Sequence, residues 1–431
     1  MTFKNEIIAM GVAPLARRAR EAALVLATVP DAVRRDALLS AADALMNHKV
    51  EILAANERDC QAARVQMDKG HMSSSVFARL QTSEQGIKEM STRMREVANL
   101  PDPIGQILTD TELAQGLRLQ KVSCPLGVIG IVFESRPDVV PQIVSLTLRS
   151  GNAVLLKGGV EAAQTNQALV SILRGAFASF PEIPHDALNL LQTREDVTEM
   201  LSLETEIDLI VPRGSKEFVS YVAAHSKIPV LGHGEGICHV YVDASADLKK
   251  AYGVAFDSKA QYPAACNAAE TLLVHGDIAQ LFLPEILARF VDAGVELRGC
   301  PRTVALAPHV NVLLADERDW SSEYSDLRIS IKVVDNLDQA IAHINRYGSK
   351  HTESIVTEDQ EAAKCFMDEV DAAGVYHNVS TRFADGYRYG LGAELGISTS
   401  KLHARGPVGL EGLTTYKYKL YGDGHTVGTH C

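Results

Sequence analysis

The chain has 431 residues, of which 46% are hydrophobic and 22% are charged, a composition typical of globular proteins. Its length corresponds to about two or three domains of ~150 residues and excludes a peptide hormone, a zinc finger or a small disulfide-stabilised domain. The 54 acidic and 42 basic residues give a net charge of −12, which disfavours binding to nucleic acid or to an anionic membrane.

The seven cysteines are isolated along the chain, and no two of them form a CxxC pair. An odd number of single cysteines is typical of a reducing compartment with free thiols. Residues 7–16 resemble the apolar part of a signal peptide, but Gly11 and Pro14 interrupt them and three arginines follow. No run approaches the roughly 18 apolar residues that span a bilayer. We therefore expect a cytoplasmic protein.

The first hundred residues are predicted to form a helical layer. Apolar residues recur at helical spacing over residues 15–26, with arginines on the opposite face. Pro30 ends this pattern, Asp31 is a candidate N-cap, and a second helical pattern begins at Val33. Further helical pattern extends to about Leu100.

The pattern then changes to strands. Residues 117–122 alternate as a half-exposed strand does. Short apolar runs among helical patterns predict strands at 128–133, 153–156, 188–191, 208–211 and 229–231, and in a second block at 238–242, 271–274, 304–306 and 331–334. Buried strands that alternate with helices predict parallel sheets covered on both faces, an α/β architecture of nucleotide-binding type. The alternating tail from Leu413 is typical of a strand that pairs with another subunit.

One cysteine stands out as a candidate nucleophile. Cys266 lies between a helical pattern and a strand, after Pro263 and among small residues that leave room for a substrate carbonyl. Backbone N–H groups in such a loop can stabilise an oxyanion. The alternative is a buried loop cysteine without a chemical role, and the residues alone do not decide between the two.

A group of metal-ligating residue types lies nearby in the sequence: His225, His233, Cys238 and His239. Their spacing fits no common structural zinc module, and adjacent residues on a strand point to opposite faces, so we expect no metal. The glycines at 232, 234 and 236 imitate a dinucleotide-binding motif, but a strand rather than a helix follows them.

Several segments together resemble the γ-glutamyl phosphate reductase (glutamate-5-semialdehyde dehydrogenase) family, a branch of the aldehyde dehydrogenase superfamily. The stretch CNAAETLLVH, which begins at Cys266, resembles the active-site segment of that family. Further matches follow in the family's order: FESRPD at 133–138, DLIVPRGS at 208–215, VLGHGEGICHVYVD at 230–243, HTE at 351–353, GLGAELGIS at 390–398 and KLHARGP at 401–407. The resemblance covers essentially the whole chain.

The resemblance implies an aldehyde dehydrogenase-like α/β fold, with two Rossmann-like domains, a cleft between them and a β oligomerisation arm. The implied cofactor-binding domain comprises 1–105 and 124–237, the catalytic domain 238–405, and the arm 106–123 and 406–431. The implied reaction is the NADPH-dependent reduction of L-glutamyl 5-phosphate to L-glutamate 5-semialdehyde and phosphate, the second step of proline biosynthesis from glutamate, through a thioester on Cys266. The implied partners are this substrate, the upstream glutamate kinase, and further copies of the chain in a homodimer or homotetramer.

Four residues are candidates for contacts to the substrate. Asn267 and Ser135 are oxyanion candidates, and Arg136 and Arg405 are candidate partners of the substrate carboxylate or of the leaving phosphate. Ser135, Arg136 and Arg405 have an alternative as structural ion-pair or capping residues.

Four residues are candidates for the cofactor, NADPH or NADP⁺. Lys157 follows a predicted strand and suits an adenosine ribose or its 2′-phosphate, and Gly214 and Ser215 begin a helix whose N–H groups can face the cofactor. The alternatives are a solvated lysine and an N-cap serine. Glu323 aligns with the superfamily glutamate that holds the nicotinamide ribose, or it is a surface acid.

Three positions depart from the family pattern: Asp257, where asparagine is usual, Lys157, where arginine is commoner, and Tyr262. Tyr262, four residues before the candidate nucleophile, stands where the family usually has arginine, so substrate preference or rate can differ. His233 aligns with the glutamate that activates water in the hydrolytic aldehyde dehydrogenases, which predicts a thioester that exchanges with phosphate instead of hydrolysing. Two other functions stay open: another thioester-forming aldehyde dehydrogenase, for example one that uses coenzyme A, and a non-catalytic binding protein on the same fold.

Overall fold

The computed structural model describes residues 11–232 and 234–429. His233, the position aligned with the water-activating glutamate, and the cysteine at 431 lie outside these residues. The chain divides into two compact units. Unit 1 consists of Met1–Gly232, Gly390–Gly396 and Val408–Cys431, and unit 2 of His233–Tyr389 and Ile397–Pro407.

Helices fill the first part of unit 1, as the periodicity predicts. They are α1 (Val12–Leu26), α2 (Asp31–Asn47), α3 (Lys49–Asp68), α4 (Ser74–Leu80) and α5 (Glu84–Ala98). The start of α2 differs from the prediction because Pro30, not Asp31, occupies the N-cap position. Asp31 lies in the first turn, where its carboxylate pairs with the guanidinium of Arg149 instead of capping the helix.

An antiparallel hairpin follows the helices. It consists of β1 (Ile107–Ala114) and β2 (Leu117–Pro125). β2 contains the strand predicted at 117–122, whereas the sequence pattern does not predict β1, because polar residues from Thr109 to Glu112 replace the alternation. Seven of the eight residues of β1 are exposed, so neither face of this strand is covered by the residues that the structure describes.

The rest of unit 1 is a parallel sheet between helices. Its elements are β3 (Val128–Phe133), α6 (Val139–Arg149), β4 (Ala153–Lys157), α7 (Ala163–Phe177), β5 (Leu188–Leu190), α8 (Arg194–Met200), β6 (Leu209–Arg213) and α9 (Lys216–His225). The strand order is β5-β4-β3-β6, and all neighbours are parallel. β3 and β4 are buried along their whole length, which explains why they read as continuous apolar runs.

The strand predicted at 229–231 is wrong. Only one bridge forms there, between Ile210 and Val230. Pro229 has no N–H to donate to a ladder, and its carbonyl and the N–H of Leu231 supply the two hydrogen bonds to Ile210.

Unit 2 is a larger parallel sheet with helices. Its elements are β7 (Cys238–Val242), α10 (Leu248–Ala260), β8 (Ala269–His275), α11 (Gly276–Asp292), β9 (Glu296–Gly299), α12 (Pro301–Leu306), β10 (Val312–Leu314), β11 (Arg328–Val334), α13 (Leu337–Tyr347), β12 (Thr352–Val356), α14 (Gln360–Glu369) and β13 (Gly374–His377). The strand order is β10-β9-β11-β8-β7-β12-β13. The core packs β7, β8 and β11 against α10 and α11, with Phe282 and Phe290 fully buried.

The strand predicted at 304–306 is also wrong, because these residues end helix α12. Pro301 lies at the first position of that helix, where its missing N–H costs nothing. Three apolar residues are too few to distinguish helical from strand periodicity.

The end of the chain returns to unit 1. After the short antiparallel pair β14 (Ile397–Ser398) and β15 (Gly406–Pro407), the last strand β16 (Thr414–Tyr421) pairs with β2. The tail is therefore a strand, as predicted, and its partner here lies in the same chain. The sheet order β1-β2-β16 leaves β1 and β16 as outer strands. Among the residues that the structure describes, no helix is long and apolar enough to cross a membrane.

Candidate active site

Unit 1 contains a topological switch point between β3 and β6. The chain proceeds from β3 to β4 and β5 on one side and then returns to β6 on the other. Ligands of open α/β sheets bind at such points, outside the carboxyl ends of the strands. Ser135 and Arg136 follow β3, Lys157 ends β4, and Gly214 and Ser215 follow β6. Five of the predicted site residues therefore lie at one edge of this sheet.

Ser215 is the N-cap of α9. Its hydroxyl accepts a hydrogen bond from the N–H of Phe218, and its own N–H donates to Oε2 of Glu134 at 3.1 Å. A Cβ at Gly214 would collide with the same Glu134 side chain. The capping alternative for Ser215 is thus observed, and a carboxylate lies at the helix start that was predicted to receive the cofactor.

Lys157 is buried rather than solvated. Its ammonium donates to the carbonyl oxygen of Gly158. Burial lowers the pKa of Lys157, and the negative charges of Glu161 and Asp196 oppose this change. A buried cation at the end of β4 fits an anionic ligand at this edge.

Ser135 and Arg136 have partners within their own turn or next to it. The N–H of Ser135 donates to Oε1 of Glu161 at 3.1 Å, and its hydroxyl contacts the same oxygen. Arg136 is exposed and pairs with Asp138 at 3.1 Å. The structural alternative is therefore observed for both residues.

In unit 2, Cys266 lies in the loop between α10 and β8, at the amino end of the strand. Cys266 is half-buried, and no cysteine in the described ranges forms a disulfide. Two turns order the loop, with hydrogen bonds from Ala265 to Tyr262 at 3.3 Å and from Ala268 to Ala265 at 2.9 Å. The predicted transition from helix to loop to strand is confirmed.

The peptide of Cys266 is held from the neighbouring strand β7. The Sγ of Cys238 donates to the carbonyl oxygen of Cys266 at 3.4 Å, and a Cβ at Gly236 would overlap that carbonyl. His351 Nδ1 lies 3.7 Å from the same sulfur. Burial raises the pKa of the Cys238 thiol well above its usual range, so Cys238 remains a protonated donor.

Asn267 is buried beside Cys266. Its side-chain amide nitrogen donates to the carbonyl oxygen of Ala384 at 2.8 Å. The amide therefore joins the loop to the turn at 381–383.

A bulge follows the nucleophile segment. Cys238 pairs with Ala269 and His239 with Thr271, so Glu270 is an extra residue in β8. Its carboxylate accepts from Lys259 Nζ at 2.5 Å and from the N–H of Ser325 at 3.2 Å, and both charged side chains are fully buried. Burial raises the pKa of Glu270 to about 7, and Lys259 opposes that shift.

Glu323 and Arg405 also lie in unit 2. Glu323 is half-buried in the loop before β11, two residues from the Ser325 N–H that binds Glu270. Arg405 pairs with Asp371 at 3.0 Å, and Lys350 and Lys401 share that carboxylate. These cations hold the pKa of Asp371 well below its usual range. Arg405 is therefore part of an ion-pair cluster, its structural alternative.

The residues suspected of binding zinc have other partners. His225 Nδ1 lies 2.7 Å from the carbonyl oxygen of Tyr221, and His239 Nδ1 lies 2.9 Å from Glu353 Oε2. Throughout 11–232 and 234–429, no cluster of three or more histidine, cysteine or acidic residues could hold a metal ion.

Sequence reasoning missed the contacts that hold Cys266. The sequence places Gly236 and Cys238 in a segment that resembles the family, Gly236 in an imitation dinucleotide motif and Cys238 in a group of metal-ligating residue types, but it does not predict their contacts with Cys266. The signal present in the sequence is a glycine two residues before a strand whose first residue is a cysteine. The partner of Lys259 had no local signal, because Glu270 lies on another element.

The aldehyde dehydrogenase family model matches residues 8–312. A γ-glutamyl phosphate reductase from Synechococcus sp. is 53% identical over 412 residues, which cover 96% of this chain and 90% of the relative. The chain belongs to the γ-glutamyl phosphate reductase family. A γ-glutamyl phosphate reductase from Natronomonas pharaonis is also 53% identical, over 96% of this chain and 93% of its own length.

Solved structures agree with this family. The crystal structure of γ-glutamyl phosphate reductase from Thermotoga maritima has a TM-score of 0.93 and 43% identity, covering 97% of this chain and all of that one (100%). An acetylating aldehyde dehydrogenase from Geobacillus thermoglucosidasius shares the fold alone, with a TM-score of 0.64 and 15% identity over 96% of this chain and 97% of that one. The predicted fold class is confirmed, and this member of the γ-glutamyl phosphate reductase family is an oxidoreductase of the aldehyde dehydrogenase type.

Proposed function

We propose that the chain reduces L-glutamyl 5-phosphate to L-glutamate 5-semialdehyde and phosphate with NADPH, in proline biosynthesis. The names of the relatives support the substrate. The observation that carries the proposal is the placement of Cys266, a half-buried thiol on a loop whose carbonyl is fixed by Cys238 and by the close approach of Gly236. Such a held thiol suits nucleophilic catalysis.

Cys266 is proposed to form and break the covalent bond to the substrate. Its thiolate attacks the acyl carbon, a C–S bond forms, and the C–O bond to phosphate breaks with its electron pair on the leaving phosphate. NADPH, when bound, supplies the hydride that reduces the thioester carbon. Cys266 then leaves as the thiolate when the carbonyl of the aldehyde forms. The main-chain N–H of Asn267 is the proposed oxyanion donor.

The cofactor is proposed to bind at the switch point of unit 1. The buried ammonium of Lys157 lies at that edge and fits an anionic dinucleotide. The start of α9 at Gly214 and Ser215 is proposed to bind it once the Glu134 carboxylate leaves the N–H of Ser215. Glu323 is the proposed partner of the nicotinamide ribose. We assign the cofactor role to 1–105 and 124–237 and the catalytic role to 238–405.

We further propose that the chain is cytoplasmic, takes its substrate from a glutamate kinase, and forms a homodimer or homotetramer. The arm, 106–123 and 406–431, supports the assembly, because its outer strands β1 and β16 are exposed along nearly their whole length. We also propose substrate contacts for Ser135, Arg136 and Arg405. Each of them would release its carboxylate partner, Glu161, Asp138 or Asp371 respectively, when the substrate binds.

The test runs the purified protein in reverse, with glutamate semialdehyde, phosphate and NADP⁺. We expect phosphate-dependent NADPH formation that is abolished in Cys266→Ser and retained in Cys300→Ser, the matched control at the opposite edge of the same sheet. Parallel reactions with NAD⁺ and with coenzyme A in place of phosphate determine the cofactor and the acyl acceptor. Absence of phosphate-dependent turnover in the unmutated protein would overturn the function, and an active Cys266→Ser would overturn the nucleophile.

A further inference from the structure

One arginine near the candidate nucleophile forms no ion pair with the residues that the structure describes. Arg382 lies in the short 3-10 turn Thr381–Phe383 and is 7% exposed. Its Nε donates to Oε1 of Gln261 at 3.0 Å, and its guanidinium lies 5.7 Å from the ring centroid of Tyr262. No ion pair of the described residues includes Arg382, although the carboxylates of Asp385 and Asp257 act on its charge at longer range. Buried arginines are usually paired, so this one needs an explanation.

The turn that carries Arg382 is fastened to both ends of the loop that carries Cys266. At the start of the loop, Gln261 binds the Arg382 side chain, and at its end, Asn267 binds the carbonyl of Ala384 at 2.8 Å. The N–H of Thr381 also donates to Ser258 Oγ at 3.2 Å, at the end of α10. The guanidinium is therefore placed against the nucleophile loop by hydrogen bonds on both sides of Cys266.

The charges around Arg382 leave its guanidinium available. Burial and the charge of Arg388 lower the pKa of Arg382, whereas a thiolate at Cys266 and the carboxylates of Asp385 and Asp257 raise it. Arginine remains protonated under all these influences. Tyr262, the position that departs from the family pattern, contributes an uncharged ring as a platform for the guanidinium.

We propose that Arg382 binds an oxyanionic group of the substrate, a carboxylate or a phosphoryl group, beside Cys266. This inference rests on the proposed function, since that substrate carries both groups. A guanidinium offers two parallel N–H donors to either group, and its Nε is already fixed by Gln261. Arg382 thus supplies a cation beside the nucleophile loop, in which Tyr262 carries no charge.

The first test does not depend on the enzymatic reaction. Iodoacetate and iodoacetamide both alkylate a thiolate with loss of iodide, but only iodoacetate carries a carboxylate. We expect Arg382→Gln to slow the alkylation of Cys266 by iodoacetate about tenfold relative to iodoacetamide, as measured on the Cys266 peptide by mass spectrometry. Arg382→Lys keeps the charge and is expected to lose less. Arg346→Gln, at an exposed arginine of the same unit, is the matched control.

The second test separates the two anions. In the reverse reaction the carboxylate enters with the semialdehyde and the phosphoryl group enters as inorganic phosphate. A KM that rises about tenfold for phosphate alone assigns Arg382 to the phosphoryl group, and one that rises for the semialdehyde alone assigns it to the carboxylate. An unchanged iodoacetate-to-iodoacetamide ratio together with unchanged KM values overturns the inference. Absence of phosphate-dependent turnover overturns the proposed function. The alkylation ratio then still tests whether Arg382 binds an anionic group beside Cys266.

Discussion

Gly236 lies so close to Cys266 that a single added methyl group would overlap the carbonyl of the candidate nucleophile. Because the obstacle is main chain rather than a flexible side chain, the loop must move to accommodate it. We predict that Gly236→Ala lowers kcat/KM about 100-fold, the scale of loss for a nucleophile displaced by about 1 Å. Gly234→Ala is the matched control, since a Cβ there meets nothing within 4 Å. Full activity of a folded Gly236→Ala protein would contradict the assignment of this contact.

The buried pair of Lys259 and Glu270 predicts that loss of the lysine alone strongly destabilises the fold and that a second substitution, at Glu270, restores stability. Lys259→Met leaves the carboxylate buried without its cation, which costs about 3–5 kcal/mol of unfolding free energy. Adding Glu270→Leu removes the orphaned charge and is expected to restore most of that loss. Urea unfolding followed by the fluorescence of Trp320, the single tryptophan, reports on unit 2. A double variant as unstable as the single one would show that the charge is not the cause.

The buried imidazole of His343 predicts sensitivity to acid. Burial, followed by the charges of His239, Lys332 and Arg346, lowers the pKa of His343 to about 2, and Lys332 Nζ lies 3.1 Å from its Nδ1. The unfolded chain binds a proton below its ordinary pKa of about 6.5 while the folded chain does not, so stability falls as the pH drops below that value.

The slope attributable to this residue is at most about 1.4 kcal/mol per pH unit. His343→Gln keeps an acceptor for Lys332 and does not titrate. We therefore expect the variant to lose less stability than the unmutated protein between pH 6.5 and 4.5, measured by urea unfolding against a reference at pH 7.5. Parallel curves for the two proteins would refute the prediction.

If the exposed strand β16 of the arm forms the subunit interface, a charged residue introduced on it weakens the assembly. Leu420 is 58% exposed on this outer strand. We expect Leu420→Asp to shift the protein toward the monomer in sedimentation velocity, because an aspartate in an interface would be buried without a partner. Leu24→Asp, at an equally apolar and exposed position of α1, is the control. An unchanged sedimentation profile of the β16 variant would exclude this strand from the interface.

The sequence predicts those buried elements whose apolar residues are adjacent in the chain. The predicted bounds of β3 and β7 are the observed ones, because short buried segments rich in β-branched and aromatic residues that follow a glycine have few other solutions. The strand predicted at 304–306 is wrong, because the three apolar residues after Pro301 are too few to show a full turn of helical periodicity. The sequence also singles out Cys266 as a candidate, but it does not predict the contact of Gly236 with that residue or the place of Arg382, because contacts across strands and turns leave no periodicity. Glu270 is similar, since its bulge becomes visible only once β7 and β8 are paired.

The pairing of β16 with β2 imposes an order of events on synthesis. Roughly 290 residues lie between Pro125 at the end of β2 and its partner Thr414. At ~5–20 residues per second, the ribosome needs roughly 15–60 s to make them. During that time the backbone groups on one edge of β2 have no partner strand, because β16 is synthesised only after unit 2. The arm is therefore completed only after both parallel sheets have been synthesised, so any assembly through β16 involves chains that already carry both sheets.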